Sequence, residues 1–234
     1  MTRSIVLLLL GLLPASRPKN RLLTLCGRGW SVAATARIHP TVLWRVGRLH
    51  AGERCHIGPG NVLRQLARVE LADEASIGQF NWITAEASYA EQADPALAGC
   101  LLLDFGAAIA SRHYLDCAGG VTMGSMSILA GVRSTFLTHW ADHAQWVLRA
   151  APIRIGDSVI VSSVATVTAG AAVAERSIVA AGAVVPKALT EPARLYAGVP
   201  AKPVADLTGA AHANRSAPRF ARPGSEGDTR AATR

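Results

Sequence analysis

Two short segments, SRHYLDCAGG (Ser111–Gly120) and THWADH (Thr138–His143), carry six side chains able to do chemistry in a text otherwise rich in small and aliphatic residues. They are His113, Tyr114, Asp116, His139, Asp142 and His143. A neutral imidazole can take a proton near pH 7 without a strong charge, so His139 is the first candidate for a general base. It stands where an apolar run ends and a charged segment, WADHAQWVLRAAP (Trp140–Pro152), begins. Asp142 or His143 could orient its ring. His113, Tyr114 and Asp116 break an apolar pattern with a polar cluster, which argues for a binding surface rather than packing. Asn81 and Trp82 make a weaker pair of the same kind.

The element that must position these groups announces itself by its period. Ile155, Val161, Val167, Val173, Val179 and Val185 fall on one six-residue phase, with Ser, Ala and Gly at most other positions. Neither a helix nor a plain alternating strand gives that beat, whereas a parallel β-helix does: each hexad is one flat face with its aliphatic residue inward. The same beat runs weakly from Ala33. Ala51, Ile57 and Leu63 share one phase, and Leu71, Ile77 and Ile83 another; their offset of two predicts a small bulge at a corner. Ile-Gly recurs at 57–58, 77–78 and 155–156, with Met123-Gly124 as a variant, and predicts glycines with positive φ at the turns. Two breaks, 89–99 and 140–152, read as loops leaving the coil, where sites are built.

The chain of 234 residues suits one domain with appendages: an apolar and basic lead-in over 1–32, the β-helix over 33–207, and a tail over 208–234 whose Ala/Gly/Pro/Ser/Arg composition reads as disordered. Half of the residues are hydrophobic and only 5% aromatic, as a narrow core requires. The net charge of +8 lies partly in the tail, and no basic stripe interleaved with aromatics marks a nucleic-acid binder. Cys26, Cys55, Cys100 and Cys117 form no close pair and read as buried thiols of a reducing, cytoplasmic compartment. The run Ile5–Leu13 is too short to span a bilayer. It reads as a helical cap over one open end of the coil or a contact with a membrane surface; a signal-peptide core is the alternative.

The hexads together with GVPAKP (Gly198–Pro203) resemble the hexapeptide-repeat acyltransferases, over roughly residues 33 to 207. The segments SRHYLDCAGG and THWAD make the chain most similar to sugar O-acetyltransferases of the galactoside and maltose type. The resemblance implies an all-β fold, a left-handed parallel β-helix, although its winding runs against the usual right-handed crossover. It also implies a homotrimer with acetyl-CoA lying in a groove between neighbouring coils, transfer of the acetyl group to a sugar or polysaccharide hydroxyl, and no metal. On that alignment His139 is the catalytic base and His113, Tyr114, Asp116 and Asn81 face the acceptor. The backbone N–H of Ser163 meets the thioester oxygen, Ala181 lies against the pantetheine arm, and Lys187 and Lys202 reach the CoA phosphates. The chain departs from the pattern at Val161–Val173, which lacks the usual glycine and Pro-Gly corner, and at Met123–Met126, which replaces Ile-Gly-Asp.

Three rival readings share the scaffold. An antibiotic O-acetyltransferase changes only the acceptor, and a non-catalytic coil would serve assembly alone. A γ-type carbonic anhydrase would bind zinc through three histidines, for which His113, His139 and His143 supply the number, but with a 139–143 spacing of four where that family uses five.

Overall fold

The computed structural model describes residues 2–86 and 94–214. It is a left-handed parallel β-helix. Three sheets form its faces. The first has seven strands, from Ser31–Val32 to Ala172–Val173; the second has nine, from Arg37–Ile38 to Lys202–Asp206; the third has seven, from Thr41–Trp44 to Val184–Val185. Successive strands of a sheet come from successive coils and pair in parallel.

The hexad phase becomes a set of inward stacks. Ile57, Ile77, Ile109, Leu129, Val161 and Val179 lie one above another in the second sheet, and Leu63, Ile83, Leu115, Phe136 and Val167 in the third, all at most 1% exposed. Burying a side chain of this size stabilises by about 1.5–3 kcal/mol, so the stacks are the main source of stability. The narrow triangular section explains why aliphatic residues dominate.

The corners differ from expectation in an instructive way. Gly58, Gly78, Gly124 and Gly156 do not take up positive φ. A Cβ on Gly58 would meet the Gly78 carbonyl, and one on Gly78 would meet that of Ala110, so these glycines are required by close stacking of coils. In front of six strands of the second sheet the left-handed conformation is carried by a turn residue, at Arg54, Glu74, Gly106, Met126, Ser158 and Arg176, with φ between 55° and 62°. A non-glycine residue bears that strain only where the fold dictates it. The offset of two between the early phases falls at the turn after the third sheet, where Gln65 has φ 58°.

Two coils are twelve residues longer than their neighbours: Val69 stacks on Leu101 and Val121 on Ile153, whereas Leu49 to Val69 and Leu101 to Val121 span twenty. The excess is the two sequence breaks. Of the first, residues 89–93 lie outside the described residues and 95–99 are turns. The second is not a loop but an antiparallel hairpin, His139–Asp142 with Val147–Ala150. At the far end the strand Arg194–Ala197 adds a rung beyond the hexads and then folds back on Lys202–Asp206. Of the C-terminal tail, residues 215–234 lie outside the described residues.

The lead-in is a cap. Helices Thr2–Leu12 and Arg17–Cys26 close the first coil, with Leu7 and Gly11 turned toward the strand Thr41–Trp44 and Ser16 capping the second helix. Lys19 pins the assembly: its buried ammonium donates to the carbonyls of Gly11 (2.8 Å), Leu13 (2.6 Å) and Ile38 (2.9 Å). Burial lowers its pKa to about 8.

Candidate active site

The third sheet has a polar corner at each end; the segment Ser111–Gly120 contributes to both, and Thr138–His143 to the trailing one. At the leading corner Asn61, Asn81, His113 and Ser134 stack in successive coils. The Asn61 amide donates to the carbonyls of Gly58 and Gly78, and its oxygen accepts from the Asn81 side chain (3.0 Å) and backbone N–H (2.9 Å). Asn81 in turn accepts from the His113 N–H (2.9 Å), and His113 Nδ1 from the Ser134 N–H (3.1 Å). Apart from the bond between the two asparagine side chains, each of these hydrogen bonds satisfies a backbone group left over by the turn. Asn81 and His113 are 1% and 2% exposed, and burial pulls the His113 pKa down to about 4. The acceptor contacts expected of Asn81 and His113 do not fit this placement, because both side chains are enclosed in the corner as staples between coils.

The trailing corner is built differently. Asp116 follows the inward Leu115, and Thr138 and His139 follow the equivalent Phe136 one coil on. Asp116 Oδ1 accepts from the Ala118 N–H (3.1 Å). Its Oδ2 accepts from the Thr138 N–H (2.9 Å) and hydroxyl (2.8 Å) and lies 2.7 Å from His139 Nδ1. Thr138 Oγ1 accepts from the Gly119 N–H, so this fixed network clamps both segments. The carboxylate is 3% exposed, whereas the imidazole is about a third exposed. Because Oδ2 accepts from its neighbours, the proton of the short contact belongs on Nδ1. That tautomer makes Nε2 the basic nitrogen.

Asp116 therefore occupies the place beside His139 that the sequence suggested for Asp142 or His143. Asp142 sits at the end of the first hairpin strand. It accepts from the Ala144 and Gln145 N–H groups and from Arg149 Nε (2.9 Å), and Arg149 lowers its pKa. His143 is exposed in the hairpin turn. The hairpin itself carries Trp140, Trp146 and Leu148 exposed to solvent.

Tyr114 and Trp82 pair on the outer surface of the third sheet, 41% and 47% exposed, and so present a ring platform on the strand that leads to Asp116. Ser163 and Ala181 stack at the opposite, leading corner, where Ser163 Oγ accepts from the Val132 N–H (3.2 Å) and Ala181 is exposed beside Gly182. A third-sheet strand separates that corner from His139, a distance on the order of 16 Å. A single chain thus keeps the predicted thioester cradle and the base apart. Lys187 is exposed at the trailing end of the third sheet, two strands from Thr138, and Lys202 is exposed opposite Ala197 on the C-terminal hairpin.

The four cysteines are free thiols; burial raises Cys55 to about 11 and holds Cys117 well above the ordinary value, so neither is a nucleophile. Among the described residues no three His, Cys, Asp or Glu side chains converge as a metal site needs.

No family model matches the chain, and no curated protein matches it in sequence. Solved structures do. A polysialic acid O-acetyltransferase superimposes with a TM-score of 0.51 at 16% identity, covering 76% of this chain and 84% of that one. A hexapeptide-repeat acetyltransferase from Vibrio cholerae, complexed with acetyl coenzyme A, covers 88% and 86% at 18% identity and a TM-score of 0.42. A maltose O-acetyltransferase from Clostridium difficile covers 67% and 68% at 13% identity and a TM-score of 0.35. At these identities the likeness is one of fold.

Proposed function

We propose that the protein is an acetyl-CoA-dependent O-acetyltransferase acting on a hydroxyl of a sugar or polysaccharide precursor, with His139 as general base and Asp116 as the group that orients it. The observation that carries this reading is the 2.7 Å contact between a buried carboxylate and a partly exposed imidazole at one corner of a β-helix. His139 Nε2 takes the proton of the acceptor hydroxyl as its oxygen attacks the thioester carbonyl. The tetrahedral intermediate collapses with loss of the CoA thiolate, which takes the proton back from the imidazolium. The products are the O-acetyl ester and free CoA thiol.

The buried carboxylate stabilises the imidazolium formed on the way and fixes the ring meanwhile, so no reorganisation is needed at the moment of reaction. A backbone N–H at Ser163 would meet the developing oxyanion, with Ala181 leaving room for the pantetheine arm and Lys187 and Lys202 placed for the phosphates. Since one chain holds these groups some 16 Å from His139 by strand length, the site requires a second copy. A homotrimer, with each groove lined by the trailing corner of one chain and the leading corner of the next, supplies it. Tyr114, Trp82 and the hairpin then face the acceptor, whose sugar rings suit an aromatic platform.

Release of CoA thiol from acetyl-CoA across a panel of sugars, glycosides and antibiotics tests the reading. Acceptor-dependent release with a glycan or glycoside is expected. Release with antibiotics alone would move the assignment to a xenobiotic acetyltransferase, and none with any acceptor would leave a scaffold.

A further inference from the structure

The charge of this protein is concentrated at one end. The first 52 residues contain eight Lys and Arg and no Asp or Glu, whereas the remaining residues contain sixteen of each. The cap and first coil thus carry +8, residues 53–207 carry −3 and the tail carries +3. Lys19 is buried there, and the seven arginines are exposed.

The same end exposes apolar surface that the fold does not use. The helix Thr2–Leu12 is apolar nearly all round. At 100° per residue, Leu7 and Gly11 lie on the side packed against the first coil. Ile5, Val6, Leu9 and Leu12, with Leu13 just beyond, lie on the opposite side and are 39–61% exposed. Leu25 and Leu22 on the second helix are 80% and 42% exposed, next to the exposed Arg21. A helix apolar on every side is normally covered on every side, and a patch of this kind rimmed by polar residues marks an interaction surface. At 11 residues the helix is too short to cross a bilayer.

We propose that the cap is a docking surface for an anionic membrane, lying in the interface with its leucines among the acyl chains and its arginines at the headgroups. The charge selects this occupant. A second copy of the same cap would bring like charges together, whereas a negatively charged lipid surface complements a face with no acidic residue. The Lys19 latch makes the surface rigid, because it joins the end of the first helix to the first coil through three carbonyls. The proposal is independent of the chemistry at His139.

Co-sedimentation of the full chain with phosphatidylcholine vesicles, and with phosphatidylcholine/phosphatidylglycerol vesicles at low and high salt, tests it. Binding is expected only to the anionic vesicles, weakening with salt. Arg17→Gln with Arg21→Gln should weaken it about fivefold for each charge removed, and Leu9→Glu with Leu12→Glu should abolish it. All four side chains are exposed, so circular dichroism should report an unchanged fold. Equal binding to both vesicle types, no binding, or unaltered binding by either variant overturns the proposal. So does a change of oligomeric state in the leucine variant of a protein that ignores vesicles, which would assign the face to protein contact.

Discussion

The two ends of the third sheet hold histidines in nearly the same sequence setting and with opposite physical characters. His113 is enclosed, neutral and bonded to the backbone of the next coil. His139, one coil later and at the other end of the strand, has one ring edge on a buried carboxylate and the ring partly in solvent. What distinguishes them is the partner: a histidine bonded to turn amides fastens coils together, and one backed by a carboxylate and facing solvent can move a proton. A polar run is thus a poor guide to chemistry until its partners are known.

Substitutions at the two corners should separate these roles, and the largest effect belongs to His139. His139→Ala should lower turnover between about 10² and 10⁴-fold while moving the melting temperature little. Asp116→Asn comes next: the amide can present its NH2 to the ring and favour the wrong tautomer, so kcat should fall on the order of 10²-fold, with the apparent Kd for acetyl-CoA preserved. Asp142→Asn is the matched control, expected within about twofold in kcat, since this half-buried carboxylate bonds only within the hairpin, to its turn and to Arg149. If the two aspartates exchanged these outcomes, the orienting role would pass to Asp142.

The complementary effect is on stability at the leading corner. His113 is neutral in both folded and unfolded chains above about pH 6.5. As pH falls below that value the unfolded chain takes a proton that the folded chain refuses until about pH 4, so this residue's contribution to stability is lost across that window. The loss approaches about 3 kcal/mol. His113→Gln should flatten that part of the acid limb, read as the difference in urea midpoint between wild type and variant at pH 7, 5.5 and 4.5. A variant with an unchanged acid limb would mean that the ring is hydrated in the native state.

Much of this fold is legible in the text because a β-helix repeats one local rule. Each inward residue of a hexad, such as Ile57 or Val161, lands on its equivalent in the next coil, so period alone gives faces and core. The corners were less legible. Their glycines are set by contact with the coil above or below, as Gly58 is with Gly78, and sequence shows no such contact. Reading the second break as a loop failed because Trp140 to Ala150 pairs with itself, outside the beat. The Asp116–His139 pair lies 23 residues apart and looks remote until coils are registered. Leu115 and Phe136 are stacked inward residues, which sets Asp116 beside Leu137 and two residues before His139. The phase needed for that step was present in the sequence; proximity along the chain favoured Asp142 instead.

The most direct measurement is acceptor-dependent release of CoA thiol by His139→Ala beside His113→Gln, each normalised to folded protein, with acetyl-CoA binding followed by calorimetry. The account predicts that His139→Ala binds acetyl-CoA as the wild type does and loses at least about 10² in kcat. His113→Gln should turn over within a few-fold of wild type. Undiminished turnover by His139→Ala, or a loss confined to His113→Gln, would contradict it.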